Sequence, residues 1–114
     1  MLGNEAKEQI AVVQYCALHG IPVFAIPNGG SRNKIEAVNL KRSGVKTGVP
    51  DLCFPEARHG YHGLYIEMKY GKNKATPAQK QWLTLLNENG YLAKVCYGFA
   101  EAKEIIDGYF SSNP

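Results

Sequence analysis

Leu64-Tyr65-Ile66-Glu67-Met68-Lys69-Tyr70, bounded by Gly63 and Gly71, limits what this chain can fold into more than any other stretch. Its β-branched and aromatic content reads as a strand. Alternate side chains of a strand share a face, so Leu64, Ile66 and Met68 point one way and Glu67 and Lys69 the other. The first set demands a core. The second puts a carboxylate and an ammonium side by side, which alone is no more than a solvated ion pair. Upstream, Val49-Pro50-Asp51 leads into a second short strand, Leu52-Cys53-Phe54. If the two strands pair, Asp51, Glu67 and Lys69 converge at one end of a sheet. Two carboxylates offer hard oxygen ligands to Mg²⁺, and the lysine can hold or deprotonate a water beside it.

The flanking segments supply the layers such a sheet needs. Residues 4 to 18 read as an amphipathic helix capped by Asn4, with Ala6, Ile10, Val13 and Ala17 at helical spacing and Gly20 and Pro22 as stops. On another stripe Glu5 and Gln9 lie one turn apart, with Glu8 a neighbour to both. These form either a wet helix face or an acidic group, with an amide, beside the site. Pro22 to Ile26 reads as a short strand and Pro27-Asn28-Gly29-Gly30 as a turn. Ser31 is positioned to cap a helix over about 33 to 42, which Gly44 ends. Gly48 takes a positive φ, or lets the backbone come close to a phosphate.

Pro55 to Gly63 reads as a polar hairpin loop, and its His59 and His62 are expected to be exposed loop residues. Thr76-Pro77-Ala78-Gln79 has the pattern of a capping box with Pro at the first helical position. Gln79 therefore either closes the cap or, one loop beyond Lys69, points at the site. The helix it opens runs to Asn89 and is expected to bury Ala78, Trp82, Leu85 and Leu86. A strand over Tyr91 to Tyr97 and a helix over Phe99 to Phe110 complete the order α-β-α-β-β-α-β-α. This predicts an α/β fold with a small mixed sheet flanked by helices.

With 114 residues the chain is expected to form one domain, 1–114. No run of about 18 apolar residues is present, so no membrane span is expected. The first residues lack the basic-then-apolar pattern of a secretory leader. Cys16, Cys53 and Cys96 are odd in number, lie in apolar segments and lack zinc-knuckle spacing, so buried free thiols in a reducing cytoplasm are expected. The formal charge of +3 does not by itself announce a nucleic-acid binder. Its distribution says more. Arg32, Lys34, Lys41, Arg42 and Lys46 precede Asp51, and Lys72, Lys74 and Lys80 follow Lys69. Both clusters flank the proposed site, either as solvated surface or as contacts to a phosphate backbone.

Taken together, Glu5 and Gln9, Pro27-Asn28-Gly29-Gly30, Gly48-Val49-Pro50-Asp51-Leu52, Ile66-Glu67-Met68-Lys69, and Gln79 ahead of Trp82 resemble one family. That family is the virus-type replication-repair nuclease (VRR-NUC) domain, a branch of the PD-(D/E)xK nucleases. The resemblance runs from about Glu5 to Val95 and is to stand-alone phage or bacterial members. It implies a restriction-endonuclease-like core and Mg²⁺- or Mn²⁺-dependent hydrolysis of DNA phosphodiesters. By the same resemblance Asp51, Glu67, the Met68 carbonyl and Glu5 would hold metal, with Glu8 the alternative in register to Glu5. Lys69 would orient water, and Gln79 would be the glutamine that follows the motif. Arg32, Lys34, Lys46, Lys72 and Lys74 are the candidate DNA contacts. The resemblance also implies a homodimer acting on branched DNA such as four-way junctions, with flap cutting or nicking as alternatives. Tyr91, Tyr97, Tyr109 and Phe110 are candidate dimer contacts.

Overall fold

The alternation in Leu64–Lys69 is realised as an inner strand of a four-stranded sheet. The computed structural model describes residues 3–27 and 33–112, so Ser31 and Arg32 lie outside the described residues. The elements in order are α1 (Asn4–Leu18), β1 (Phe24–Ala25), α2 (Lys34–Arg42), β2 (Leu52–Phe54), β3 (Leu64–Lys69), α3 (Pro77–Glu88), β4 (Leu92–Tyr97) and α4 (Gly98–Tyr109). The sheet order is β1-β2-β3-β4. β1 pairs with β2 and β2 with β3 antiparallel, while β4 runs parallel to β3 after the α3 crossover.

Leu52 pairs with Ile66, Phe54 with Leu64, and Met68 with Cys96. These side chains share one face and are buried with Val12 and Cys16 of α1 and Ala102 and Ile106 of α4. Removing Leu64, Ile66 and Met68 from water stabilises the fold by about 1.5–3 kcal/mol each. The opposite face carries Tyr65, Glu67 and Lys69, and α3 covers it. There Asn87 of α3 bonds both backbone groups of Ala93 on β4, at 3.0 and 3.2 Å. The three cysteines are free and buried, and burial pushes the thiols of Cys16 and Cys96 up to about 11 and 12. No helix among the described residues is long and apolar enough to cross a membrane.

Several local expectations are corrected. Gly3, not Asn4, occupies the N-cap of α1, and no side chain caps it. The apolar stripe expected to face the core is the outward one, with Ile10, Val13 and Ala17 exposed. The inward stripe is Glu8, Val12, Tyr15 and Cys16, because Glu8 accepts a 2.8 Å bond from the Phe99 amide at the start of α4 and Tyr15 packs edge-on against Phe99. Asn33 caps α2, accepting from the Glu36 amide at 2.7 Å, and α2 buries none of its residues. Along α3 the inner stripe is Gln79, Trp82, Leu83 and Leu86, each half-buried, and Leu85 faces out. β1 is shorter than expected, with Pro22 and Pro27 on either side unable to donate to a ladder.

Candidate active site

Register decides what meets what at the end of β2 and β3. Because Leu52 opposes Ile66, the chain just before β2 passes Glu67 and Met68. Asp51 Oδ2 accepts a 2.8 Å bond from the Met68 amide, which fixes that carboxylate against β3. The contact made by Met68 is through its N–H. On the other side, the Ile26 amide donates to the Asp51 carbonyl at 2.8 Å, so β1 braces the same residue.

Glu67 is only 3% exposed. Its Oε2 accepts a 3.1 Å bond from Gln79 Nε2 and lies 3.8 Å from Lys69 Nζ. Its Oε1 is buried with no hydrogen-bond partner. Burial first, then the neighbouring Asp51 and to a smaller extent Glu5, push this carboxyl up to about 8 against the opposing pull of Lys69. A buried, orphaned carboxylate oxygen beside a second carboxylate is costly unless a cation or proton satisfies it.

Both readings of Gln79 hold at once. Its Oε1 accepts from the Thr76 amide at 2.8 Å and its own backbone amide donates to Thr76 Oγ1 at 3.2 Å, closing the capping box. Its other end is the donor to Glu67, so the cap of α3 and the orientation of the acid share one side chain. Gly48 makes this possible. It has φ of +93°, and a Cβ there would lie 2.7 Å from the backbone carbon of Ala78. The positive φ expected of this glycine is present, and its backbone approaches α3 closely.

Among the candidates on α1, Glu5 acts on Glu67 through its charge, whereas Glu8 is committed to the start of α4. A Cβ on Gly98 would sit 2.9 Å from Glu8 Oε1. Among the described residues no three His, Cys, Asp or Glu side chains gather as a ready-made metal cage. Asp51 and Glu67 alone suit Mg²⁺ or Mn²⁺ of the kind that keeps several waters and takes one or two carboxylates plus a phosphate. The orphaned Oε1 and the hard-oxygen donor set fit such an ion.

Lys34, Lys46, Lys72 and Lys74 are exposed, the last two in the loop joining Lys69 to α3. Tyr97, paired with Lys69 across the ladder, donates from its hydroxyl to the Asn73 carbonyl in that loop at 2.6 Å. Of the other aromatic candidates for a dimer contact, Tyr109 is buried and its hydroxyl donates to the Glu56 carbonyl at 2.7 Å. Phe110 packs against the core, and Tyr91 meets Tyr65 and His62 edge-on. His59 and His62 are exposed. A cleft of about 430 Å³ lies past the far end of β2, lined by Tyr15, His19, Glu56, Arg58 and Asp107. Its charges pair internally, Arg58 with Glu56 and Tyr15 with Asp107, and it is remote from Asp51.

The VRR-NUC domain model matches residues 7–100. A solved structure described as a VRR_NUC domain protein superposes with a TM-score of 0.81 at 34% sequence identity, covering 96% of this chain and 90% of that one. Comparison with curated protein sequences gives no match. With the family model spanning most of its length and a solved relative sharing its fold, this chain belongs to the VRR-NUC domain family and is a nuclease-type domain.

Proposed function

We propose that the domain is a Mg²⁺- or Mn²⁺-dependent DNA endonuclease that hydrolyses phosphodiester bonds in branched DNA, four-way junctions above all, as a homodimer. The observation that carries the reading is the orphaned Glu67 Oε1, buried beside Asp51 and Lys69. Asp51 and Glu67 would hold the ion, with the Met68 carbonyl as a further ligand and Glu5 acting by its charge. When bound, such an ion polarises a phosphate oxygen and makes a water acidic enough to attack it.

The chain's own residues do the rest. The Met68 amide and Gln79 keep the two carboxylates from rotating. Lys69 is too buried to wander; its ammonium donates to the attacking water or to the phosphate oxygen on which charge develops. Lys34, Lys46, Lys72 and Lys74 would hold the backbone through phosphate contacts that carry no sequence information; Arg32 is proposed for the same task.

The test is direct. Labelled duplex, flap and four-way-junction DNA are offered with Mg²⁺, Mn²⁺ or EDTA. Cleavage of the junction with either ion and none in EDTA is expected, lost in Asp51→Asn and Glu67→Gln. Cleavage that persists in EDTA, or in both variants, overturns the proposal. Activity confined to flaps would leave the metal site standing and replace the substrate.

A further inference from the structure

The wall of the site on the α3 side continues into a second feature. A cleft of about 400 Å³ is lined by Ile26, Val45, Lys46, Val49 and Trp82, among others. Its volume is that of a small-ligand site. Three links tie it to the catalytic residues. Ile26 donates its amide to the Asp51 carbonyl. Val49 stands two residues before Asp51. Trp82 follows Gln79 by three positions, so the two lie on one stripe of α3.

Lys46 is exposed and is the charged residue of the lining. Trp82 is half-buried. An indole among aliphatic side chains, with one cation at the rim, suits a flat aromatic group that carries a negative charge. A nucleotide is that chemistry: the base contacts indole and aliphatic surface while its phosphate meets the lysine. A base inside a duplex is stacked on its neighbours and is not available to the cleft. An unpaired one is.

We propose that the Trp82–Lys46 cleft binds an unpaired nucleotide next to the scissile position, so that the domain recognises interrupted pairing as well as backbone charge. The inference rests on the metal-dependent nuclease reading above and extends its substrates to DNA with an unpaired strand, such as a flap, since the arms of a four-way junction are fully paired.

Trp82 is the chain's only tryptophan, so its fluorescence reports on the cleft alone. The wild-type protein is titrated in EDTA, where no cutting is needed, with a flapped duplex and with a fully paired duplex of equal length. Quenching by the flapped DNA and not by the paired one is expected. Trp82→Leu should weaken flap binding about ten-fold relative to paired duplex. Trp82→Phe, which keeps an aromatic face, should retain most of the preference and thereby separate lost stacking from lost folding. Lys46→Gln should lower the salt slope for flap binding by about one.

Equal quenching by both DNAs, no quenching by either while both bind, or an unchanged flap preference in Trp82→Leu would each overturn the proposal. Because binding is read without cleavage, any of these results leaves metal-dependent cutting to stand or fall separately.

Discussion

Glu67 bears a conflict that its neighbours do not resolve. Lys69 and Gln79 both address Oε2, which leaves Oε1 buried and unmatched. In the metal-free protein the protonated acid is therefore favoured, with the carboxyl raised from 4.5 to about 8. The sign follows from linkage: a folded-state value above the unfolded one gives stability that is intact below about 4.5 and is lost as pH rises through about 8. Metal-free protein should accordingly melt at progressively lower temperature between those limits. Glu67→Gln, which cannot ionise, should remove most of that slope and melt several degrees higher than the wild type at pH 8, with little difference at pH 4. Thermal melts of both proteins in EDTA across that range check this, and parallel curves would contradict it. Saturating Mg²⁺ should reverse the order at pH 8 by stabilising only the wild type, since a ligand that binds only the folded state raises stability by mass action. The same variant should lose nearly all cleavage. More stable and inactive is the signature of an acid retained for chemistry.

Gly48 illustrates why elements, and not only side chains, build the site. The first turn of α3 rests against this loop so closely that no β-carbon fits between them. Gly48→Ala should cost about 1–3 kcal/mol, through contact and positive φ together. It should also slow cleavage more than it weakens DNA binding, because it displaces Gln79 from Glu67. Chemical denaturation and single-turnover rates measure the two effects. Gln79→Ala should cost about 1–3 kcal/mol, since the fold loses both the half-exposed cap and the bond to the buried Glu67, and should lower the rate comparably. Much of this site was legible in the sequence. Strand alternation put Glu67 and Lys69 on one face, a proline marked Asp51, and the Thr-Pro-x-Gln pattern announced the α3 cap. What the sequence did not reveal is direction. A helix period identifies stripes without saying which one faces in, so α1 was read with Ile10 and Val13 buried. The long-range bond from Glu8 to Phe99 turns it the other way. The same blindness placed Leu85 inside and left Gly48's partner unknown, because Ala78 is distant in sequence.

That outward turn of α1 leaves the molecule with apolar surface to cover. Leu18 is 84% exposed, and α2 presents Ile35 at 77% and Val38 at 52%. A nine-residue helix with no fully buried residue is too short to be stable through hydrogen bonding alone. An apolar side that needs covering marks an interaction surface. A second copy is the partner that fits the proposed chemistry, because a twofold pair of active sites matches the symmetry of a four-way junction. This replaces Tyr91, Tyr97, Tyr109 and Phe110, whose rings or hydroxyls are engaged within the fold. The wild-type protein should sediment at twice the chain mass at micromolar concentration and cut a junction at two symmetric positions. Val38→Glu with Ile35→Glu should give a folded monomer, since neither residue contributes to the core. That monomer should keep metal-dependent cutting of single strands of the junction and lose the pairing of cuts, which mapping both cleaved strands reveals. A wild type that sediments as a monomer would refute the assembly outright. A doubly substituted protein that still dimerises would instead move the interface away from α2, toward Ile10, Val13 and Leu18 of α1.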